Sequence, residues 1–198
     1  MRKELKIKNW ILPLSIGAGI LFAGGLYWFA RQSTQAPTIG GDFTLHSTRG
    51  PVSLHDFKGR PVVLYFGYTS CPDVCPLSMS KLSRVVAQLP EAVRKNLELV
   101  FVSVDYRKDT PEKAQNYVSF FFKGAQAVGL TGSKEEIDRV VSLFKTGYVI
   151  EDVPTSALGY SIQHPSDFFL IDKRGKFSAL LPTEESNEEL KKGLESIL

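Results

Sequence analysis

The sequence predicts an α/β domain, a mixed sheet flanked by helices on both faces, preceded by one N-terminal transmembrane helix. Three observations carry that prediction. Apolar runs at 61–66 and 97–104 alternate with segments of helical period, the pattern of strands buried on both faces of a helix-covered sheet. Phe168–Ile171 and Phe177–Leu181 then flank Asp172-Lys173-Arg174-Gly175-Lys176, a turn-forming run that suits a hairpin. Trp10 to Ala30 are 21 consecutive positions without a charge, and a helix of roughly 20 apolar residues crosses a hydrocarbon core.

The termini of that apolar segment set its orientation. Trp10 marks one end and Tyr27 with Trp28 the other, as aromatic rings do at the two membrane interfaces. Arg2, Lys3, Lys6 and Lys8 against Glu4 hold residues 1–9 in the cytoplasm and place the bulk of the chain outside. A cleaved signal peptide is the alternative, but its apolar region is usually about 7–15 residues and ends at a small-residue cleavage site. Beyond the first nine residues the charges balance, 20 basic against 20 acidic, which leaves no electrostatic footprint for nucleic acid. The 198 residues suffice for one domain with a sizeable core.

Arg31 to Gly41 is polar and rich in breakers, a linker from anchor to a domain at 42–198. Phe43–Leu45 and Val52–Leu54 around Arg49-Gly50-Pro51 form a small hairpin, and Asp56–Arg60 turns into the strand at 61–66. Leu82, Val85, Val86 and Leu89 recur at helical spacing up to Pro90. After the strand at 97–104, Asp109-Thr110-Pro111-Glu112 opens a second helix with a cap and a first-turn proline. Val128–Gly132 is a short extended piece. Ser133-Lys134-Glu135-Glu136 is a capping box for a third helix that buries Ile137, Val140, Val141 and Phe144. Tyr148–Ile150 and Gly159–Ile162 are weaker strands, and an amphipathic helix at 187–198 closes the chain.

The chemistry sits between the first buried strand and the first helix. Cys71 and Cys75 are the only cysteines, within Thr69-Ser70-Cys71-Pro72-Asp73-Val74-Cys75-Pro76. Asp73 is the expected cap, with Val74, Cys75 and Pro76 in the first turn, where a missing N–H costs nothing. The helix N-terminus carries partial positive charge and favours thiolate over thiol. A structural disulfide is a poor reading, because a three-residue loop removes little entropy from the unfolded chain. A reversible disulfide and a soft-metal site remain.

A metal needs further ligands. His46 and His55 read as ordinary strand and loop histidines, and Met79 reads as core. His164 stands in Ser161-Ile162-Gln163-His164-Pro165-Ser166-Asp167, just before a buried strand, where the loop can lie over the first helix's N-terminus. Cys71, Cys75 and His164 form a set that suits copper, since soft sulfur selects Cu(I) while imidazole also serves Cu(II). Structural zinc usually takes four protein ligands.

These residues resemble the Sco/SenC family of copper-binding assembly factors for cytochrome c oxidase. The likeness runs over 42–198 and rests on Phe66–Pro76, on Val102-Ser103-Val104-Asp105 leading into Asp109-Thr110-Pro111, on Gly129–Gly132, and on His164 ahead of Phe168–Asp172. It implies a thioredoxin-like fold and copper, as Cu(I) or Cu(II), held by Cys71, Cys75 and His164. It also implies a single-pass protein of the bacterial inner membrane with its C-terminal domain in the periplasm. The implied role is delivery of copper to the dinuclear site of oxidase subunit II, or reduction of that site's cysteines. Gln163 stands where members often carry an acidic residue, and Asp105-Tyr106 where they often carry Asp-Pro. The rival reading is a thiol–disulfide oxidoreductase with Cys71 and Cys75 as its redox-active pair and no metal in its cycle. A thiol peroxidase would need an arginine beside the reactive thiolate, which no residue clearly supplies.

Overall fold

In the computed structural model the described residues are 24–28, 38–123, 126–156 and 158–198. The expected anchor at 10–30 therefore lies outside them except at 24–28, which are helical. Among the described residues no helix is long and apolar enough to cross a membrane. Ile39–Leu198 form one compact unit, described below.

The chain opens with a hairpin, β1 (Thr44–Ser47) and β2 (Gly50–Ser53), and a 3-10 turn at Leu54–Phe57 whose Ser53 and Asp56 form a capping box. Then come β3 (Val62–Gly67), α1 (Val74–Ala87), a single helical turn α2 (Glu91–Arg94), β4 (Glu98–Ser103), α3 (Pro111–Phe121) and β5 (Gln126–Leu130). They are followed by α4 (Lys134–Leu143), β6 (Val149–Asp152), β7 (Tyr160–Gln163), β8 (Phe168–Ile171), β9 (Phe177–Leu181) and α5 (Asn187–Ser196). The turn at 54–57 and α2 are additions to the sequence reading. Both are too short to show a hydrophobic period.

The main sheet has the order β5-β4-β3-β8-β9. β3, β4 and β5 run parallel, whereas β8 pairs antiparallel with β3 and β9 with β8. Every residue of β3, β4 and β8 is buried, as their near-continuous apolar runs require, with Glu98 of β4 paired to Arg60. Alternation along β3 sorts the two faces. Tyr65 points with Phe101 toward Met79, Leu82 and Val118 of α1 and α3. Phe66 points the other way, into an edge-to-face cluster with Phe144 at the end of α4 and Phe169 of β8. Helices thus cover both faces. β6 and β7 form a separate two-stranded sheet.

The parallel strands need crossovers, and α3 makes the β4–β5 connection by pressing onto β5 at Gly129. A Cβ there would lie 2.2 Å from the carbonyl carbon of Ala114 and 2.3 Å from the Gln115 nitrogen. Backbone cannot yield as a side-chain tip does. Gly129→Ala should therefore destabilise the fold by about 1–3 kcal/mol or more, read as a lowered urea midpoint, and an unchanged midpoint would show that α3 can shift freely.

Candidate metal centre

Antiparallel pairing of β3 with β8 sets Tyr65 opposite Phe168. The exit of β3 and the entry of β8 therefore lie at the same end of the sheet, and each carries one part of the site. The turn after β3 is fastened from below. Asp109 accepts the Thr69 backbone N–H at 2.8 Å, the Thr69 hydroxyl at 2.6 Å and the Ser103 hydroxyl at 2.5 Å. The capping residue of the expected Asp109-Thr110-Pro111-Glu112 opening is Thr110, whose hydroxyl accepts from the Lys113 N–H, which leaves the Asp109 side chain free for other work. The carboxylate instead ties the cysteine loop to the end of β4.

Asp73 does occupy the cap position of α1, but its side chain makes no capping hydrogen bond. The Cys71 sulfur takes that place, accepting the Cys75 backbone N–H at 3.4 Å. A sulfur at the positive end of a helix is a stabilised anion. Cys71 is half-buried and Cys75 buried, and both are free thiols.

His164 comes in from the β8 side. Its Nδ1 lies 2.8 Å from the carbonyl oxygen of Pro165, which can only accept, so Nδ1 carries the hydrogen. Nε2 then offers its lone pair, 3.2 Å from the Cys75 sulfur. Tyr68 and Tyr65 meet the imidazole edge-to-face, with ring centroids 5.6 and 6.2 Å away, and fix its plane. The Cys71 and Cys75 sulfurs and a ring nitrogen of His164 lie within 4.8 Å of one another.

Two thiols this close cannot both ionise. Hydrogen bonding from the Cys75 thiol, with further help from the backbone N–H groups of Cys75 and Asp73, pulls Cys71 down to about 3, against the opposing effect of burial. The hydrogen bond to the Cys71 thiolate and burial push Cys75 far up. Cys71 is the thiolate, and Cys75 keeps the proton.

The donor set fits a soft metal. Metal–sulfur and metal–nitrogen bonds of about 2.3 and 2.0 Å place neighbouring ligand atoms roughly 3.5–4 Å apart, close to the spacing here. The second imidazole nitrogen already has its hydrogen-bond acceptor, the usual support of a ligating histidine. His46 and His55 are elsewhere, His46 on Glu136 at 3.3 Å and His55 with its N–H on Asp42. Met79 is buried in the core.

A family model described as SCO1/SenC matches residues 31–198. The chain belongs to the SCO1/SenC family. It is 30% identical to a SCO2-like protein of Rickettsia prowazekii over 191 residues, covering 89% of this chain and 90% of that one. Among solved structures it resembles Arabidopsis thaliana ScoI with copper bound, at TM-score 0.71 and 30% identity over 80% of this chain and 98% of that one. It also resembles Bradyrhizobium japonicum ScoI with copper bound, at TM-score 0.65 and 32% identity over 81% of this chain and 99% of that one. The thioredoxin-like Sco architecture expected from the sequence is the one found.

Gly67 is a part of this SCO1/SenC centre that the sequence reading passed over. A Cβ on it would sit 2.9 Å from the Cys75 sulfur and 2.9 Å from Cε1 of Tyr65. A glycine closing a buried strand beside a cysteine motif was the only signal available.

The asymmetry of the thiols makes stability depend on pH. Because Cys71 falls from an ordinary value of 9.0 to about 3, its contribution grows as pH rises from about 3 to about 9. It is lost as pH falls through about 3. Cys75 is raised, so above about pH 9 the unfolded chain sheds a proton that the folded chain keeps, and stability declines. The difference in urea midpoint between wild type and Cys71→Ser should therefore narrow from pH 9 toward acid. In the same protein, iodoacetamide at about pH 5 should label Cys71 and spare Cys75. Equal labelling of both would remove the asymmetry.

Proposed function

We propose that this protein is a membrane-anchored copper metallochaperone that holds its cargo through Cys71, Cys75 and His164. In this reading residues 10–30 anchor it in the bacterial inner membrane, 31–41 are the linker, and the domain at 42–198 faces the periplasm. The recipient is the dinuclear copper site of cytochrome c oxidase subunit II. The carrying observation is that His164, 89 residues after Cys75, meets both sulfurs so that all three donor atoms lie within 4.8 Å of one another.

The chemistry of the set supports cargo rather than a resident structural ion. Two thiolates and an imidazole favour Cu(I) and tolerate Cu(II). Three protein ligands leave the metal open to an incoming donor, whereas a closed four-ligand site retains it. Cys71 is already ionised, so loading has to displace only the Cys75 proton. Two solved relatives with copper bound share this architecture.

The ready ionisation of Cys71 also favours a second reading, reduction of a disulfide in the recipient site. The Cys71 thiolate would attack one sulfur of that disulfide, and Cys75 would then resolve the mixed disulfide. The recipient gains two electrons, one proton from the Cys75 thiol and one from solvent, and a Cys71–Cys75 disulfide remains. That product has no thiolates for metal, so the two roles exclude one another within a single turnover.

Copper titration separates them. With the reduced full chain in detergent, one equivalent of Cu(II) should give thiolate-to-copper charge-transfer bands. His164→Ala should disturb these bands, and Cys71→Ser or Cys75→Ser should abolish them. An unchanged His164→Ala spectrum removes that residue from the site. No copper binding at all leaves the reductase. In a strain lacking the protein, restoration of oxidase activity by added copper would point to delivery, and failure of copper to restore it would point to thiol reduction.

The anchor has its own test. The full chain should stay with the membrane through alkaline carbonate extraction, and a chain beginning near Pro37 should be released.

A further inference from the structure

His164 follows a hairpin that the central sheet does not hold. β6 and β7 pair only with each other, from Val149 opposite Gln163 to Asp152 opposite Tyr160. β8 and the rings of Tyr65 and Tyr68 hold the imidazole from one side, and buried Ile162 packs the hairpin into the core, which leaves its far end to polar contacts. One set of contacts reaches the hairpin from the loop after β4, and all of it converges on the opposed pair Asp152 and Tyr160 and the adjoining turn.

The Tyr160 hydroxyl donates to Asp105 Oδ2 at 2.7 Å, and both side chains are buried. Asp105 is itself fixed. Its Oδ1 accepts the backbone N–H groups of Arg107 at 3.1 Å and Lys108 at 3.2 Å, and its own N–H donates to the Ser103 hydroxyl at 3.2 Å. Both carboxylate oxygens are thus engaged, and a buried carboxylate anion gains more from a phenol donor than a neutral acceptor would. The Arg107 guanidinium and the Lys108 ammonium lie 5.3 and 5.1 Å from the centre of the Tyr160 ring, within cation–π range. Lys108 Nζ also donates to the Leu158 carbonyl at 3.0 Å, and Arg107 pairs with Asp152 at 3.7 Å. The last pair is exposed and contributes little.

We infer that Tyr160 is a positioning residue for the metal centre: its bond to Asp105 latches the β6–β7 hairpin to the end of β4 and thereby sets where His164 stands relative to the two cysteines. This rests on the copper-binding reading above for its consequence, though the latch itself exists without metal. Cys71 and Cys75 are held by the core, so loss of the latch moves one ligand and leaves the other two in place.

The test uses Tyr160→Phe in the full chain, which keeps the ring and removes only the hydroxyl. In the copper-free protein, amide hydrogen exchange across Tyr160–Gln163 should speed up at least about tenfold while β3 and β4 stay unchanged. Lys108→Gln should act in the same direction and more weakly. In the copper-loaded protein, Tyr160→Phe should move the charge-transfer spectrum toward that of His164→Ala. In the His164→Ala background it should add nothing. Exchange that rises equally in β3 and β4, or not at all, overturns the latch. A spectral effect that survives in the double variant overturns its action through His164. If the unsubstituted chain binds no copper, the metallochaperone reading fails, and the exchange result alone decides the latch.

Discussion

The antiparallel pairing of β8 against β3 is the contact on which the site depends. In a fully parallel sheet the entry of β8 would lie at the opposite end from the exit of β3. His164, four residues ahead of β8, would then be a strand length away from the cysteines. Reversing one strand puts both loops at the same edge with no long excursion of the chain. The register is held by Phe168, Phe169, Leu170 and Ile171, all buried, and a one-residue slip would turn Phe169 out of its cluster with Phe66 and Phe144. The metal-ligating geometry is thus fixed by hydrophobic packing far more than by any attraction among the ligands themselves.

Within that frame a single proton divides the sulfurs. It stays on Cys75, between the Cys71 thiolate and the lone pair of His164 Nε2. The same three atoms that share this proton are those that a soft cation would engage, and a cation satisfies all of them where a proton satisfies them only in pairs. Gly67 allows the buried sulfur to sit against backbone, and Asp109 keeps the turn that carries Cys71 from relaxing away. The pocket is preorganised by groups that never touch the metal.

Much of this was legible in the sequence, for identifiable reasons. β3, β4 and β8 are near-continuous apolar runs, and α4 announces itself by a capping box that the structure contains in full. Cys71 and Cys75 are adjacent in sequence, so their proximity required only a local argument. His164 could be preferred over His46 and His55 because its loop runs directly into a buried strand and can lie over the N-terminus of the cysteine helix. The Asp73 cap failed in part because Cys71, a weaker acceptor that no capping preference ranks, had the better position. Asp109 and Asp105 were opaque for another reason. Their partners Thr69 and Tyr160 lie 40 and 55 residues away, and no periodicity reports a bond of that span.

The ligands are therefore held with unequal strength, and the inequality bears on transfer. Displacing Cys75 means opening the core around a fully buried side chain, with Gly67 and Tyr65 against its sulfur. Displacing His164 means lifting a two-stranded hairpin that packs Ile162 into the core and is tied by the buried Tyr160–Asp105 hydrogen bond, on the order of 1.5–3 kcal/mol, and by the Tyr148–Asp138 and Lys108–Leu158 bonds, cation–π contacts and an exposed ion pair. A carrier whose three ligands were equally rigid would bind well and release slowly. If the protein delivers copper as proposed above, two core-held sulfurs and one separately tethered imidazole would let an acceptor compete for one position while the sulfurs still held the cargo, and exchange would then be stepwise.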